Sequence, residues 1–198
     1  MTGAILQTQG AGAGTDEIVD SAAVWSAARQ FATGVSVVTA GSGESVHGST
    51  ASSFTFISRE PPLIAVVLQQ GSSLLELIRA RGEFGVNVLS SQQTAVARHF
   101  ASRNRGVGEG QFAPVGWTPD PDGLPRLTGT VCWLRCHARR HVPAGDHEIV
   151  LAGVRALAKG RGTPLLYFAG ALHAGAIQEP PPAPVPRGGD PDPHTDKE

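Results

Sequence analysis

The alternation of apolar and polar residues along the chain predicts mostly β-strands with a few short helices. Runs rich in β-branched and apolar residues recur at strand length, and residues such as Gly, Pro and Ser separate them. The predicted strands cover residues 35–39, 46–57, 63–68, 84–89, 130–140, 148–157 and 165–169. Strands and helices do not alternate regularly, so the pattern favours a barrel or a sandwich over a doubly wound parallel sheet.

Three short helices are predicted between these strands. The first follows a cap at Asp20 or Ser21 and carries Val24, Trp25 and Phe31 at helical spacing. The second begins at residues 72–73 and ends at Gly82, and the third begins at residues 90–91 and ends near Ala101. A loop rich in Gly and Pro follows at residues 102–127, and connections of this length are often functional.

The two ends of the chain differ in composition from the middle. Residues 8–16 are rich in Gly and Ala, and residues 179–198 contain seven of the fifteen prolines. Such segments bury too little apolar surface to offset the entropy lost on ordering. We therefore predict a disordered tail at residues 1–16, one folded domain at residues 17–178 and a disordered Pro-rich tail at residues 179–198.

Charge and hydrophobic content narrow the class of protein. The 17 acidic and 16 basic residues nearly cancel, which argues against binding to nucleic acid or to an anionic membrane surface. No apolar run approaches the roughly 20 residues of a membrane span, and residues 1–16 lack the features of a secretory signal. Two cysteines cannot form a disulfide framework, so we predict a cytoplasmic protein.

Two motifs invite other functions, but their context argues against both. Cys132, Cys136, His137 and His141 lie close together as zinc ligands do. A strand places both cysteines on one face and both histidines on the other, so we predict buried free thiols, an exposed polar face and no metal site. Residues 106–110 are rich in glycine, but no strand–helix–strand unit surrounds them, as dinucleotide binding of the Rossmann type requires.

The most unusual segment is a run of small hydroxyl residues at 49–53, Ser-Thr-Ala-Ser-Ser. Small side chains let a flat ligand approach the backbone, and hydroxyls can bond ring carbonyls, a ribityl chain or phosphate. A polar edge strand explains the composition equally well. Ser72 and Ser73 lie at a helix start that favours anions, and residues 99–103 bring a hydroxyl and a guanidinium to a helix end. Together these features suit a phosphorylated planar cofactor.

Several motifs follow one another in an order that resembles the short-chain flavin reductase family, the reductase components of two-component flavin-dependent monooxygenases. The motifs are GVSVVTA at 34–40, GSTASSF at 48–54, PPL at 61–63, FGVNVLS at 84–90, FA at 100–101, GDH at 145–147, GV at 153–154 and PLLYF at 164–168. The resemblance covers residues 24–170, which is almost the whole predicted domain.

The resemblance implies an FMN-binding split β-barrel that forms a homodimer. It implies that NADH or NADPH reduces free FMN or FAD, and that the reduced flavin passes to a partner monooxygenase. Two other functions remain open on the same fold. One is an FMN-dependent oxidase of the pyridoxamine-phosphate type, and the other is a non-catalytic flavin- or haem-binding protein.

The resemblance also implies which residues form the site. By motif position His147 is the catalytic residue and orients the nicotinamide or the flavin, although a polar residue in a hairpin turn is an alternative explanation for it. The residues implied to bind the flavin or the nicotinamide nucleotide are Ser49, Thr50, Ala51, Ser52, Ser53, Gln69, Ser72, Ser73, Phe100, Ser102, Arg103, Tyr167 and His173. The loop after Ser102 is rich in glycine, so Arg105 is an alternative to Arg103 for the phosphate.

Overall fold

A computed structural model of the chain describes residues 19–175, so the predicted tails lie outside the described residues. Within that range the chain forms twelve strands, three α-helices and two 3₁₀ turns, Gly43–Ser45 and Gly108–Phe112. The helices are α1 (Ser21–Ala28), α2 (Ser73–Arg81) and α3 (Thr94–Ala101). The strands are β1 (Thr33–Gly34), β2 (Ser36–Ala40), β3 (His47–Ala51), β4 (Thr55–Ser58), β5 (Leu63–Gln69), β6 (Glu83–Val88), β7 (Trp117–Pro119), β8 (Pro125–Leu127), β9 (Cys132–Ala144), β10 (His147–Lys159), β11 (Leu166–Phe168) and β12 (Ala171–His173). The prediction of a mainly β fold with short helices is confirmed.

Seven strands form one antiparallel sheet in the order β3-β2-β6-β9-β10-β5-β4. Its centre is the long β9–β10 hairpin, and its two edges are β3 and β4. Two small sheets, β1-β11-β12 and β7-β8, complete the strand pairing of the described residues. Because β3 and β4 are neighbours along the chain but opposite edges of the sheet, the segment between them crosses from one edge to the other.

Two hydrophobic clusters form the core, one on each face of the sheet. Val38 points into the first cluster with Phe84 and α2, and its neighbour Val37 points into the second with Phe100 and Phe112. Adjacent strand residues point to opposite faces, so β2 serves both clusters and all five of its residues are buried. Burial of each phenylalanine side chain contributes about 1.5–3 kcal/mol, so these clusters dominate the stability of the fold.

The predicted strand at residues 46–57 is wrong as a single strand, because the structure divides it into β3 and β4. The break is at Ser52 and Ser53. The Ser53 hydroxyl donates to Val67 O at 2.8 Å and accepts from Val67 N at 3.2 Å. A side chain thus takes the place of a backbone group beside β5, and strand pairing resumes only at Thr55.

The helices differ from the prediction at one end and at one start. The first helix ends at Ala28, so Phe31, which was predicted to lie on it, is outside the helix. Asp20 caps α1 and Ser72 caps α2, as predicted, and Gly82 ends α2 with φ of 71°. The third helix begins at Thr94 rather than at residues 90–91, because Ser90 N donates to the Gln93 side chain at 2.9 Å in the turn before it. The predicted loop at residues 102–127 contains a 3₁₀ turn and the β7–β8 hairpin.

Strand β9 turns both cysteines toward the first core cluster, but the prediction of buried thiols holds only for Cys136, since Cys132 is half-buried. Cys136 is fully buried, and burial raises the pKa of its thiol to about 12. The prediction of an exposed polar opposite face is wrong at Trp133, which is buried with the Arg126 guanidinium 5.7 Å from its ring centroid. Among residues 19–175, no helix is both long and apolar enough to cross a bilayer.

Candidate functional site

A cleft of about 1490 Å³ opens where the two edges of the sheet approach each other. Its lining comes from four parts of the fold: the β3–β4 segment, the end of β5 with the start of α2, the loop after α3, and the region of α1 and β1. His147, at the start of β10, adds one more side chain. The cleft is therefore built from segments that are far apart in the sequence.

One side of the cleft is a hydroxyl wall, residues 49–53. Strand β3 is an edge strand that pairs only with β2, and the backbone of Gly48 at its start is taken up by Gln111 Oε1 at 2.8 Å and Arg105 Nε at 3.0 Å. The Thr50 hydroxyl donates to Ala97 O at 2.7 Å, and Ser53 is bonded to Val67. Within residues 19–175, the hydroxyls of Ser49 and Ser52 make no hydrogen bond to protein, so these two can bind a ligand.

The hydroxyl wall lies tightly against the second core cluster. A Cβ at position 48 would lie 2.7 Å from Phe100 Cε1, which is too short for a real contact. Only glycine at this position lets β3 pack on α3 without displacing Phe100. The core behind the wall therefore determines where the Ser49 and Ser52 hydroxyls lie.

A cationic end, Arg103 and Arg105, closes the cleft beyond α3. Arg105 Nε donates to Gly48 O at 3.0 Å, and its Nη2 lies 2.9 Å from His47 Nε2. Burial and the neighbouring Arg105 charge lower the pKa of His47, so the ring is neutral and accepts this hydrogen bond. Arg105 thereby ties the loop to β3, whereas the Arg103 side chain is exposed.

The start of α2 forms another part of the lining. Ser72 Oγ accepts from Leu75 N at 3.4 Å, which leaves the first amides of the helix, at Ser73 and Leu74, without a helical acceptor. Free amides and the helix dipole at this point favour a negatively charged group. A Cβ at Gly71 would meet nothing within 4 Å, so there is open space directly before the helix.

His147 enters the cleft from the turn between β9 and β10. It pairs with Gln69 of β5 across the sheet, and both residues line the cleft beside α2. Its Nδ1 lies 2.8 Å from Asp146 Oδ1, and this hydrogen bond lowers the pKa of Asp146. Gln70 Nε2 donates to Gly145 O and to His147 O, each at 3.1 Å, and so holds the turn against the end of β5.

The structure brings ten of the fourteen residues predicted for the site to this one cleft. They are Ser49, Thr50, Ala51, Ser52, Ser53, Gln69, Ser72, Ser73, Arg103 and His147. Their roles in binding stay predictions, but residues from four separate segments of the sequence lie around one space.

The other four predicted residues lie outside the lining of the cleft. Phe100 is buried in the core with its ring centroid 5.1 Å from that of Phe112. Ser102 Oγ accepts from Asn104 N at 3.1 Å just after α3. Tyr167 pairs with Thr33 in the small sheet, and His173 Nε2 lies 3.1 Å from Phe168 O.

Two aromatic residues outside the predicted set also line the cleft. Trp25 of α1 and Phe31 are 67% and 74% exposed. Their helical spacing is typical of a core-facing helix, but no residue of α1 is buried in the single chain. His47 was likewise outside the predicted set, whereas Arg105 was the alternative to Arg103 for phosphate, and the structure brings both arginines to the cleft.

Comparison with known families identifies the chain. Residues 28–176 match the model of the flavin reductase like domain. The chain belongs to the flavin reductase family. The split β-barrel that the resemblance implied is confirmed by solved structures of flavin reductases, which superpose on most of this chain.

Two curated relatives and one solved structure illustrate the likeness. The chain is 44% identical over 147 residues to the NADPH-flavin oxidoreductase of Streptomyces viridifaciens. The aligned region covers 73% of this chain and 76% of that relative. The chain is also 38% identical over 140 residues to the reductase component of 4-hydroxyphenylacetate 3-monooxygenase from Thermus thermophilus. That alignment covers 70% of this chain and 86% of the relative. The NADH:FAD oxidoreductase of Streptomyces globisporus, solved with NAD and FAD fragments, superposes with a TM-score of 0.73 at 32% identity and covers 79% of this chain and 93% of that one. The cleft described above is thus a feature of a flavin reductase-like domain.

Proposed function

We propose that this protein uses NADH or NADPH to reduce free FMN or FAD and supplies the reduced flavin to a partner monooxygenase. The observation that carries the proposal is one cleft that combines the hydroxyl wall, the cationic end and His147. The relatives support the activity, since one is named an NADPH-flavin oxidoreductase and another the reductase component of a monooxygenase.

The residues around the cleft fit a phosphorylated flavin. Ser49 and Ser52 offer hydroxyls that are free to bond a ring or a ribityl chain. Arg103 and Arg105 offer positive charge for phosphate, and the free amides at the start of α2 offer a second anionic subsite. The volume of about 1490 Å³ exceeds the 300–1,000 Å³ of a usual ligand pocket, which suits two nucleotides side by side.

The work of the protein in this reaction is binding and orientation. When bound, flavin supplies the N5 atom that accepts a hydride from C4 of the nicotinamide. The hydroxyl wall and the cationic end hold one ligand in place, and His147 beside Gln69 orients the other. Hydride transfer depends mainly on this alignment, so no side chain of the cleft has to transfer a proton.

The first experiment follows oxidation of NADH and of NADPH with FMN, FAD or riboflavin added in turn. We expect oxidation that depends on added flavin, with turnover on the order of 1–100 per second for the best pair. Flavin binding without oxidation by any pair would contradict the proposal and favour a non-catalytic carrier. Oxygen uptake that depends on another substrate, without added NAD(P)H, would favour an oxidase.

The homodimer is part of the same proposal. Exposed apolar side chains, including Val24, Trp25 and Phe31 near α1 and Phe56 and Ile57 in β4, form surface that a second copy would cover. We expect light scattering to give twice the 20.5 kDa mass of one chain, and Phe56→Glu to shift the protein toward the monomer because it buries a charge in that contact. A monomeric wild-type protein at micromolar concentration would contradict this.

A cytoplasmic location and the supply of a monooxygenase complete the proposal. Cys132 and Cys136 are both free thiols, which fits a reducing compartment. The relative from Thermus thermophilus is named as a component of a monooxygenase, which supports a partner of that class here. Hydroxylation by a purified monooxygenase that starts only when this protein and NAD(P)H are added would test the supply.

A further inference from the structure

A buried carboxylate with two partners lies one residue away from the cleft. Glu148, the second residue of β10, is 1% exposed. Arg79 Nε donates to its Oε1 at 3.3 Å, a second bond joins Arg79 Nη2 to Oε2, and His141 Nδ1 lies 2.7 Å from Oε1. The bond from Arg79, with help from His141, lowers the pKa of Glu148, so the group is a carboxylate at neutral pH.

The three residues of this cluster come from three elements that lead to the cleft. Arg79 belongs to α2, whose first residue, Ser73, lines the cleft. His141 and Glu148 lie on β9 and β10, on either side of the turn that carries His147. The carboxylate therefore ties both arms of the hairpin to the helix, and all three segments are held in one arrangement.

The strand pairing with Gln69 fixes the backbone of His147, but the side-chain contacts around it are too exposed to fix its ring by themselves. Its side-chain partner, Asp146, is 87% exposed, and an ion pair at such a site contributes little to order. Gln70, which bonds the turn, is also exposed, so water competes for those bonds. Glu148 follows His147 directly in the chain and is buried, and burial strengthens its hydrogen bonds.

We propose that Glu148 is a positioning residue for His147. It does not line the cleft, and it acts by fixing the hairpin so that the His147 ring stays directed at the nicotinamide. This inference rests on the proposed function, because it takes His147 to orient a ligand. Loss of the Glu148 carboxylate would make His147 align the nicotinamide less well and would leave the flavin site at the hydroxyl wall intact.

The test is a double-mutant cycle that joins Glu148→Gln with His147→Ala. Gln keeps the size of the side chain, but its amide nitrogen cannot accept a bond from Arg79 or His141. We expect each single variant to lower kcat/KM for NAD(P)H by about tenfold. The double variant should be no slower than His147→Ala, because both changes act on the same orientation of the nicotinamide. Flavin affinity should stay unchanged.

Glu76→Gln is the matched control, because it removes the other carboxylate bonded to Arg79, an exposed one. We expect it to leave kcat/KM unchanged. Hydrogen exchange gives a readout that is independent of activity: the amides of residues 144–147 should exchange faster in Glu148→Gln than in wild type. If Glu148→Gln fails to fold, His141→Gln is the alternative variant, because it removes only one of the two partners of Glu148. We expect it to lower kcat/KM by a smaller factor, and to have no further effect when His147 is already Ala.

Three results would overturn the inference. The first is an equal loss from Glu148→Gln with and without His147, since that would be a general effect on the fold. The second is a His147→Ala variant with unchanged kcat/KM. The third is unchanged exchange at residues 144–147. A wild-type protein that oxidises no NAD(P)H would instead contradict the proposed function, and the exchange comparison would still decide whether Glu148 orders the turn.

Discussion

Replacing Phe100 with Ala is expected to lower the free energy of unfolding by about 3–5 kcal/mol, the usual loss for a buried phenylalanine. The ring is fully buried, lies 5.1 Å from the Phe112 ring and contacts the backbone of β3 at Gly48. Removing it leaves a cavity between α3 and the hydroxyl wall that this well-packed region cannot fill. Urea unfolding followed by circular dichroism measures the loss.

Leu157→Ala is the control for Phe100→Ala, because Leu157 is exposed on β10. Its effect should stay within about 0.5 kcal/mol, as for most surface changes. The comparison also tests the site residues implied by the sequence, in which Phe100 contacts the ligand. If the Phe100→Ala protein had unchanged stability but bound flavin much more weakly, Phe100 would be a ligand-binding residue. That result would contradict its assignment to the core.

Replacing Arg103 with Ala is expected to weaken FMN binding by about 10- to 100-fold, the value of one or two charge-assisted hydrogen bonds. Arg103 lines the cleft, its side chain is exposed, and it makes no hydrogen bond to the other described residues. Its loss therefore removes charge from the cleft without disturbing the fold. Riboflavin lacks the phosphate, so its affinity should change by less than about twofold, and titration of both flavins by fluorescence measures the difference.

Arg98→Ala is the matched control, because Arg98 carries the same charge on α3 but does not line the cleft. We expect little change in FMN affinity. Added salt should weaken FMN binding to wild type more than to Arg103→Ala, since salt screens an exposed charge. Equal weakening for FMN and riboflavin, or an equal effect of Arg98→Ala, would show that Arg103 does not hold the phosphate.

Local signals in the sequence were enough to predict most elements of the fold. Asp20, with its carboxylate, and Ser72, with its hydroxyl, cap the first two helices at the starts that the sequence predicts. Gly82 ends α2 because it adopts a positive φ. These features act over three or four residues. The break after β3 could not be predicted in the same way, because Ser53 makes it by bonding Val67, which lies on another strand.

The residues of the site also divide into those that a local pattern indicates and those that only the packing of distant segments reveals. The hydroxyl wall was visible in the sequence because a run of small polar residues is unusual in a strand. Phe100 could not be assigned from its motif alone, since the packing of α3 against β3 decides whether the ring faces a ligand or the core. Trp25 and Phe31 have the spacing of core residues, and only the tertiary structure leaves them exposed beside the cleft.

The sequence by itself determined most strands and helices, the family and ten of the residues that line the cleft, because these depend on local preferences and on motifs read in order. The tertiary structure decided which hydroxyls are free, which arginine is committed to the protein and which is not, and that Glu148 lies buried between Arg79 and His141. Each of these depends on contacts between residues more than forty positions apart or across a hairpin. Such contacts arise from packing of the whole chain, and no local pattern of residues encodes them.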